Sequence, residues 1–247
     1  MEKRSIFNAK AELNIDLYHG TSTLFLDSIV ENGLGGINPV RDWNLLELAK
    51  EVFEQSKLYL EETEIFQKSC WSFENMVNQK VYENSNWQHG DTYLSPSIQT
   101  AVNYAIDKEY GSELFTYTLL FLKELTDRKI QYVIRDLYQR FPKMFQLINA
   151  RPAPVLISAS RISLTGLLNE HGEIPIENFI RLEKSFVERP DDYQKRNGQN
   201  NFRLSGPIPV QQLKFYIVNI TQWNIHQPVY NLYEIKIPNI GGHKDFD

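Results

Sequence analysis

The apolar and polar positions at the start of the chain predict a strand followed by a short helix. Residues 13–18 alternate apolar and polar side chains and lead into His19-Gly20, which predicts a strand that ends in a tight turn. Residues 23–32 then have helical spacing, with Leu26 and Ile29 on one face. Gly33 stands where glycine often ends a helix, so the helix is expected to stop there.

The next forty residues follow the helical repeat instead. Apolar side chains recur with the spacing of an amphipathic helix at Leu45, Leu48, Ala49, Val52 and Phe53. A second helical stretch is predicted over about 59–80, and residues 84–90 are rich in turn-forming side chains. The region of about 40–88 is therefore expected to be mainly helical.

A short strand, a helix and a longer strand are predicted next. Residues 92–95 fit a strand, and Ser97 is a candidate N-cap for the helix that follows. Gly111 is expected to end this helix. Residues 113–122 form an almost continuous apolar run with aromatic and threonine side chains, which predicts a buried strand.

The second half mixes one more helix with several strands. A helix is predicted over residues 130–141 and closed by Pro142, and residues 189–201 are predicted to be a polar loop. The strand candidates are residues 154–160, 202–204, 214–220 and 230–237. Strands and helices do not alternate as in parallel βαβ units, so the prediction is one α+β domain over residues 1–247.

Composition narrows the class of protein. The 247 residues are 42% apolar, enough for a real core, and the net charge of −5 disfavours a nucleic-acid binder that relies on a basic surface. Cys70 is the only cysteine, so no intrachain disulfide or cysteine-rich zinc site is expected. No signal peptide is recognised, and the longest nearly apolar run, residues 114–122, is about half of a membrane span. A cytoplasmic protein, or one delivered to a target cell without a cleaved signal, is expected, with no membrane partner.

Common catalytic motifs are missing from the sequence. It contains no GxxxxGK phosphate loop, no GxGxxG fingerprint, no GxSxG elbow and no HExxH, and its five histidines are scattered. No metal site is therefore predicted.

One set of residues has a recognisable order and spacing. Tyr18-His19-Gly20-Thr21 ends the first strand, a helix with Gly33-Leu34 follows, and residues 90–97 read Gly-Asp-Thr-Tyr-Leu-Ser-Pro-Ser. Tyr93 and Tyr104 are eleven residues apart. This pattern resembles the His-Tyr-Glu branch of the ADP-ribosyltransferase superfamily, which includes poly-ADP-ribose polymerases and diphtheria-toxin-like enzymes. Taken singly, the same residues fit a turn and ordinary core positions.

The resemblance implies a fold and a donor substrate. It implies a split β-sandwich with flanking helices, in which residues 40–88 are a helical insertion, and NAD as co-substrate without a metal. By the resemblance, His19 hydrogen-bonds a ribose hydroxyl and the backbone of Gly20 holds the nicotinamide carboxamide. Tyr93 and Tyr104 sandwich the nicotinamide ring, and Thr21 and Ser95 are polar liners of the donor site.

The catalytic glutamate of the family has no acidic counterpart here. The family places it at the start of a late strand, where it stabilises positive charge on the ribose as nicotinamide leaves. That position falls on Asn200 or Asn201 in this sequence. Three interpretations stay open: an inactive or engineered form, another acid from Glu188, Asp191 or Asp192, or a protein that binds NAD and turns it over slowly or not at all.

The implied function is transfer of ADP-ribose from NAD to a macromolecular acceptor, in a toxin, effector or phage-defence role. The acidic net charge favours a protein over a nucleic acid as acceptor. Two alternatives are a non-catalytic protein that binds NAD or a partner, and an NAD glycohydrolase in which water is the acceptor.

Overall fold

A computed structural model describes residues 5–82, 85–223 and 228–237 and has mixed helices and antiparallel sheets. The α+β class is confirmed. The helices are α1 Leu26–Asn32, α2 Pro39–Asp42, α3 Leu45–Tyr59, α4 Glu64–Val77, α5 Ile98–Asp107, α6 Glu113–Asp127, α7 Gln131–Arg140, α8 Pro142–Leu147, α9 Ile176–Glu188 and α10 Tyr193–Arg196. The strands are β1 Leu17–Ser22, β2 Val81–Tyr82, β3 Ser85–Asn86, β4 Tyr93–Leu94, β5 Pro154–Ala159, β6 Leu167–Leu168, β7 Phe202–Leu204, β8 Leu213–Gln222 and β9 Val229–Ile235.

Two antiparallel sheets meet at β1. The larger has the strand order β1-β5-β8-β9, and the smaller has the order β4-β7-β6. Tyr18 in β1 and Ser95 after β4 exchange backbone hydrogen bonds of 2.7 and 2.8 Å. β1 continues through Gly20 to Ser22, so the tight turn predicted at His19-Gly20 is absent, and this strand is held directly beside the one that carries Tyr93.

The helical region packs as part of the main core. Phe53 of α3 and Phe73 of α4 meet at a centroid distance of 5.5 Å, and Phe73 stacks on Phe121 of α6 at 4.9 Å. All three rings are buried and belong to the same hydrophobic cluster as β1 and β5. The predicted helices in residues 40–88 are thus present, and they cover α6.

The prediction of a buried strand at residues 113–122 is wrong, because this segment forms α6. Ser112 caps the helix by accepting a hydrogen bond from the backbone N–H of Phe115 at 3.3 Å. The Thr118 hydroxyl donates to the carbonyl oxygen of Leu114 at 2.6 Å, so a buried threonine is satisfied inside the helix. Eight of the fifteen residues are buried, which hides the one-sided spacing that identifies most helices.

The remaining predictions differ from the structure mainly in detail. The helix expected to end at Gly111 ends at Asp107, and Gly111 follows it with φ +84°. The polar loop at residues 189–201 contains α10. Asn84, the first residue of the other predicted loop, lies outside the described residues.

The sequence pattern did not predict α9. Only Leu182 of this helix is buried, while Ile176 and Ile180 are more than 60% exposed. Phe179, Leu182 and Phe186 nonetheless recur at helical spacing and pack on the core, so the signal for α9 was present in the sequence and was missed.

Candidate functional site

A cavity of about 370 Å³ opens between β1, β4, α5 and the start of α6. Its volume lies in the range of small-molecule sites. Seven of the eight residues singled out from the sequence line it: His19, Gly20, Thr21, Tyr93, Ser95, Tyr104 and Asn201. The eighth, Asn200, does not.

The His19 ring is fixed by one backbone contact. Its Nδ1 donates to the carbonyl oxygen of Tyr93 at 2.8 Å, which leaves Nε2 as a hydrogen-bond acceptor. Burial lowers the pKa of His19, and the hydrogen bond to Tyr93 opposes this only in part. The ring is therefore neutral near pH 7, with one nitrogen able to accept from a hydroxyl.

Gly20 lies against α5 as well as against the cavity. A Cβ added there would meet the carbonyl oxygen of Ala101 at 2.0 Å and the backbone nitrogen of Ala105 at 2.8 Å. The absence of a side chain is thus required by the packing of β1 on α5. This requirement is separate from the close approach of a ligand that the resemblance implies.

Two tyrosines contribute rings to the cavity from different elements. Tyr93 comes from β4 and is half-buried, and Tyr104 comes from the last turn of α5 and is 37% exposed. Burial is the main cause that raises the pKa of both phenols. Both rings are therefore neutral near pH 7 and suited to contact a flat heterocycle.

The small polar residues that line the cavity are buried, and Ser95 is held by a local hydrogen bond. Ser95 is 4% exposed, and its hydroxyl accepts from the backbone N–H of Ser97 at 3.2 Å. Ser97 in turn accepts from Thr100 N–H at 3.3 Å and so caps α5, as predicted. Thr21 is 2% exposed and lies in the wall that β1 contributes.

The two adjacent asparagines have different environments. Asn201 borders the cavity at the start of β7. Asn200 is 2% exposed, and its amide nitrogen donates to the carbonyl oxygen of Asn178 at 3.0 Å and to Asn197 Oδ1 at 3.1 Å. Asn200 is therefore a structural residue, and the prediction that it belongs to the site is corrected.

The alternative acids considered from the sequence lie away from this cavity. Glu188 and Asp191 are exposed, and Asp192 pairs with Arg196 at 3.2 Å. None of the three lines the cavity.

Three other carboxylates line the cavity, and the sequence motifs did not single out any of them. They are Asp91, Glu113 and Glu170. Glu170 follows β6, a strand of two residues that the sequence pattern did not predict. Asp91 falls within the motif at residues 90–97 without a role assigned to it there, and no motif contains Glu113 or Glu170, so their position in the fold identifies them.

His89 is a further cavity residue that the sequence did not single out. Its Nε2 is buried and has no hydrogen-bond partner among the described residues. Burial lowers its pKa, as it does for His19. His89 therefore contributes to the cavity lining, while its Nε2 is a buried polar atom without a partner in the described part of the chain.

We expect the stability of the protein to fall below about pH 6.5, the ordinary histidine pKa. The lowered pKa values of His19 and His89 mean that the unfolded chain binds these protons first as the pH falls. The loss begins at the unfolded pKa and grows until the folded pKa is reached. Urea unfolding between pH 5 and 8 measures it, and a weaker pH dependence is expected for His89→Gln. If the free energy of unfolding changed equally with pH in the variant and the parent, His89 would not contribute to the loss of stability.

Within the described part of the chain, no three His, Cys, Asp or Glu side chains come together as a metal site. Among the helices in those same ranges, none has both the length and the apolar composition needed to cross a membrane.

Comparisons of the chain with protein-family models, with curated proteins and with solved structures found no match. A function is therefore inferred from the residues and the geometry of this chain alone.

Proposed function

We propose that the chain is an ADP-ribosyltransferase that moves ADP-ribose from NAD to a macromolecular acceptor, on a split β-sandwich typical of that superfamily. One observation carries the proposal. Residues from β1, β4, α5 and the start of β7, far apart in sequence, line a single cavity.

The cavity residues suit the parts of NAD. Tyr93 and Tyr104 offer neutral aromatic faces for the nicotinamide ring, and His19 offers Nε2 to a ribose hydroxyl. Bound NAD would supply a ribose carbon joined to a cationic leaving group, and the protein residues would orient it and exclude water.

The charges around the cavity support a protein acceptor. No lysine or arginine is found among the described residues that line it, while three carboxylates are. The whole chain carries a net charge of −5. A net negative charge on the whole chain disfavours binding of a long nucleic-acid backbone, so we propose a protein side chain as the acceptor.

Replacing one aromatic face tests the donor site. Tyr104→Ala is expected to weaken NAD binding by about 5- to 150-fold, the range for loss of one stacked aromatic contact, whereas Tyr104→Phe keeps the ring and most of the affinity. Calorimetric titration measures binding, and nicotinamide release from NAD measures turnover. Equal NAD affinities for Tyr104→Ala and the parent would show that the Tyr104 ring does not contact the donor.

Product analysis separates the proposed activity from its two alternatives. Label from NAD that appears on added protein supports transfer, and free ADP-ribose alone indicates an NAD glycohydrolase. NAD binding without nicotinamide release indicates a non-catalytic protein. A chain that neither binds nor consumes NAD contradicts the proposal.

A further inference from the structure

We propose that Glu170 supplies the carboxylate of the reaction, in place of the acid that is missing at the start of β7. This inference rests on the proposed function. It assigns to Glu170 the contact with the 2′-hydroxyl of the nicotinamide-side ribose.

The other carboxylates of the cavity are already paired. Asp91 Oδ2 lies 3.3 Å from Arg203 Nε, and Glu113 Oε1 lies 2.7 Å from Lys108 Nζ. Glu170 has no hydrogen bond or ion pair with any residue in the described ranges. Its negative charge is therefore the one in the cavity that no cation of the described chain neutralises.

Glu170 and Asn201 lie just beyond a pair of hydrogen-bonded strands. Leu168 of β6 pairs with Arg203 of β7 in antiparallel orientation. Glu170 lies two residues after Leu168, in the turn that follows β6, and Asn201 lies two residues before Arg203. Both residues line the cavity. Glu170 also lies near Tyr93, where burial, Asp91 and then Glu170 raise the pKa of the phenol. The Glu170 carboxylate therefore belongs to the same cavity as Asn201 and Tyr93.

The proposed chemistry needs a negative charge at that place. Glu170 would accept a hydrogen bond from the ribose 2′-hydroxyl and stabilise the positive charge that develops on the ribose. As the bond from C1′ to the nicotinamide nitrogen breaks, its electron pair leaves with neutral nicotinamide. Glu170 would then take the proton that the acceptor loses when its nucleophilic atom bonds to C1′.

Two substitutions separate the charge of Glu170 from its hydrogen bond. Glu170→Gln keeps an accepting oxygen and removes the charge, so nicotinamide release should fall about 10²- to 10³-fold. Glu170→Ala removes the acceptor as well. Binding is read with carba-NAD, an analogue in which a methylene replaces the oxygen of the nicotinamide-side ribose ring. We expect its affinity to change less than about threefold in Glu170→Gln and to fall about tenfold in Glu170→Ala.

Glu188→Gln is the matched control, because Glu188 is exposed and lies outside the cavity lining. It should keep the rate and the affinity of the parent. Glu170 is also exposed, so all three variants should melt with the parent.

The possible results distinguish the two proposals. If the parent releases nicotinamide and Glu170→Gln does so at the same rate, the role of Glu170 is overturned and the proposed function stands. A slow Glu188→Gln beside a normal Glu170→Gln moves the role to Glu188. If the parent binds carba-NAD but releases no nicotinamide, both the transferase activity and the role of Glu170 fail, and NAD binding alone remains.

Discussion

Gly20→Ala is expected to destabilise the protein by about 3 kcal/mol, at the upper end of the usual cost of overpacking. The added methyl group would lie 2.0 Å from the Ala101 carbonyl oxygen and 2.8 Å from the Ala105 backbone nitrogen. Both are backbone atoms of a helix, so no side-chain rotation relieves the clash. Either β1 or α5 must move, and with them His19 and Tyr104.

Thermal unfolding measures this effect, with a decrease in the melting temperature of about 6–12 °C for a chain of this size. Gly206→Ala is the matched control, because a Cβ at Gly206 would meet no atom within 4 Å. Its stability should stay within about 0.5 kcal/mol of the parent. Equal melting temperatures for Gly20→Ala and the parent would show that β1 and α5 are not in this contact. Because the added methyl group already clashes with α5, a loss of activity in Gly20→Ala would not by itself show that Gly20 contacts a ligand.

Asn200→Glu is expected to cost about 3–5 kcal/mol, the range for an unpaired buried charge. Asn200 is 2% exposed and donates to two oxygen acceptors, on Asn178 and Asn197. A glutamate would present negative oxygens to those same acceptors and lose both hydrogen bonds. The hydrogen bonds by which Asn200 connects the segments around α9, α10 and β7 would then be lost.

Asn201→Glu should cost less than about 1 kcal/mol, because the side chain of Asn201 is half-buried at the cavity edge. Urea unfolding of the two variants beside the parent measures the difference. Similar losses in both would contradict the separate environments of these neighbouring asparagines. The reaction rate of Asn201→Glu therefore reports on the site, whereas a rate lost in Asn200→Glu would reflect unfolding.

Local patterns were sufficient where a segment has one buried face. The spacing of Leu45, Leu48 and Val52 predicted α3, and the Ser97 cap predicted the start of α5. The pattern failed for α6, whose apolar side chains are buried on several sides, because burial depends on which neighbours a helix acquires in the fold. In α9, Phe179, Leu182 and Phe186 do have helical spacing and pack on the core, so that helix could have been predicted.

The candidate site was predictable only as far as its motif extends. The order His19, Tyr93 and Tyr104 was enough to predict that these residues lie together, and the cavity contains all three. His89 and Glu170 belong to no motif. Their place in the cavity follows from the short strands near them in the chain, β3 and β4 for His89 and β6 for Glu170. The pairing of Asp91 and Glu113 with cations was likewise not visible in the sequence.

The aromatic contacts among α3, α4 and α6 have a consequence for how this chain could be shortened. A version that joined residue 38 directly to residue 90 would keep β1 and β4, yet it would uncover the ring of Phe121 and the apolar side of α6. Leu45 of α3 also forms part of the cavity wall, so the same deletion would open the cavity. The segment between β1 and β4 is therefore an integral part of the fold and cannot be removed without exposing the core.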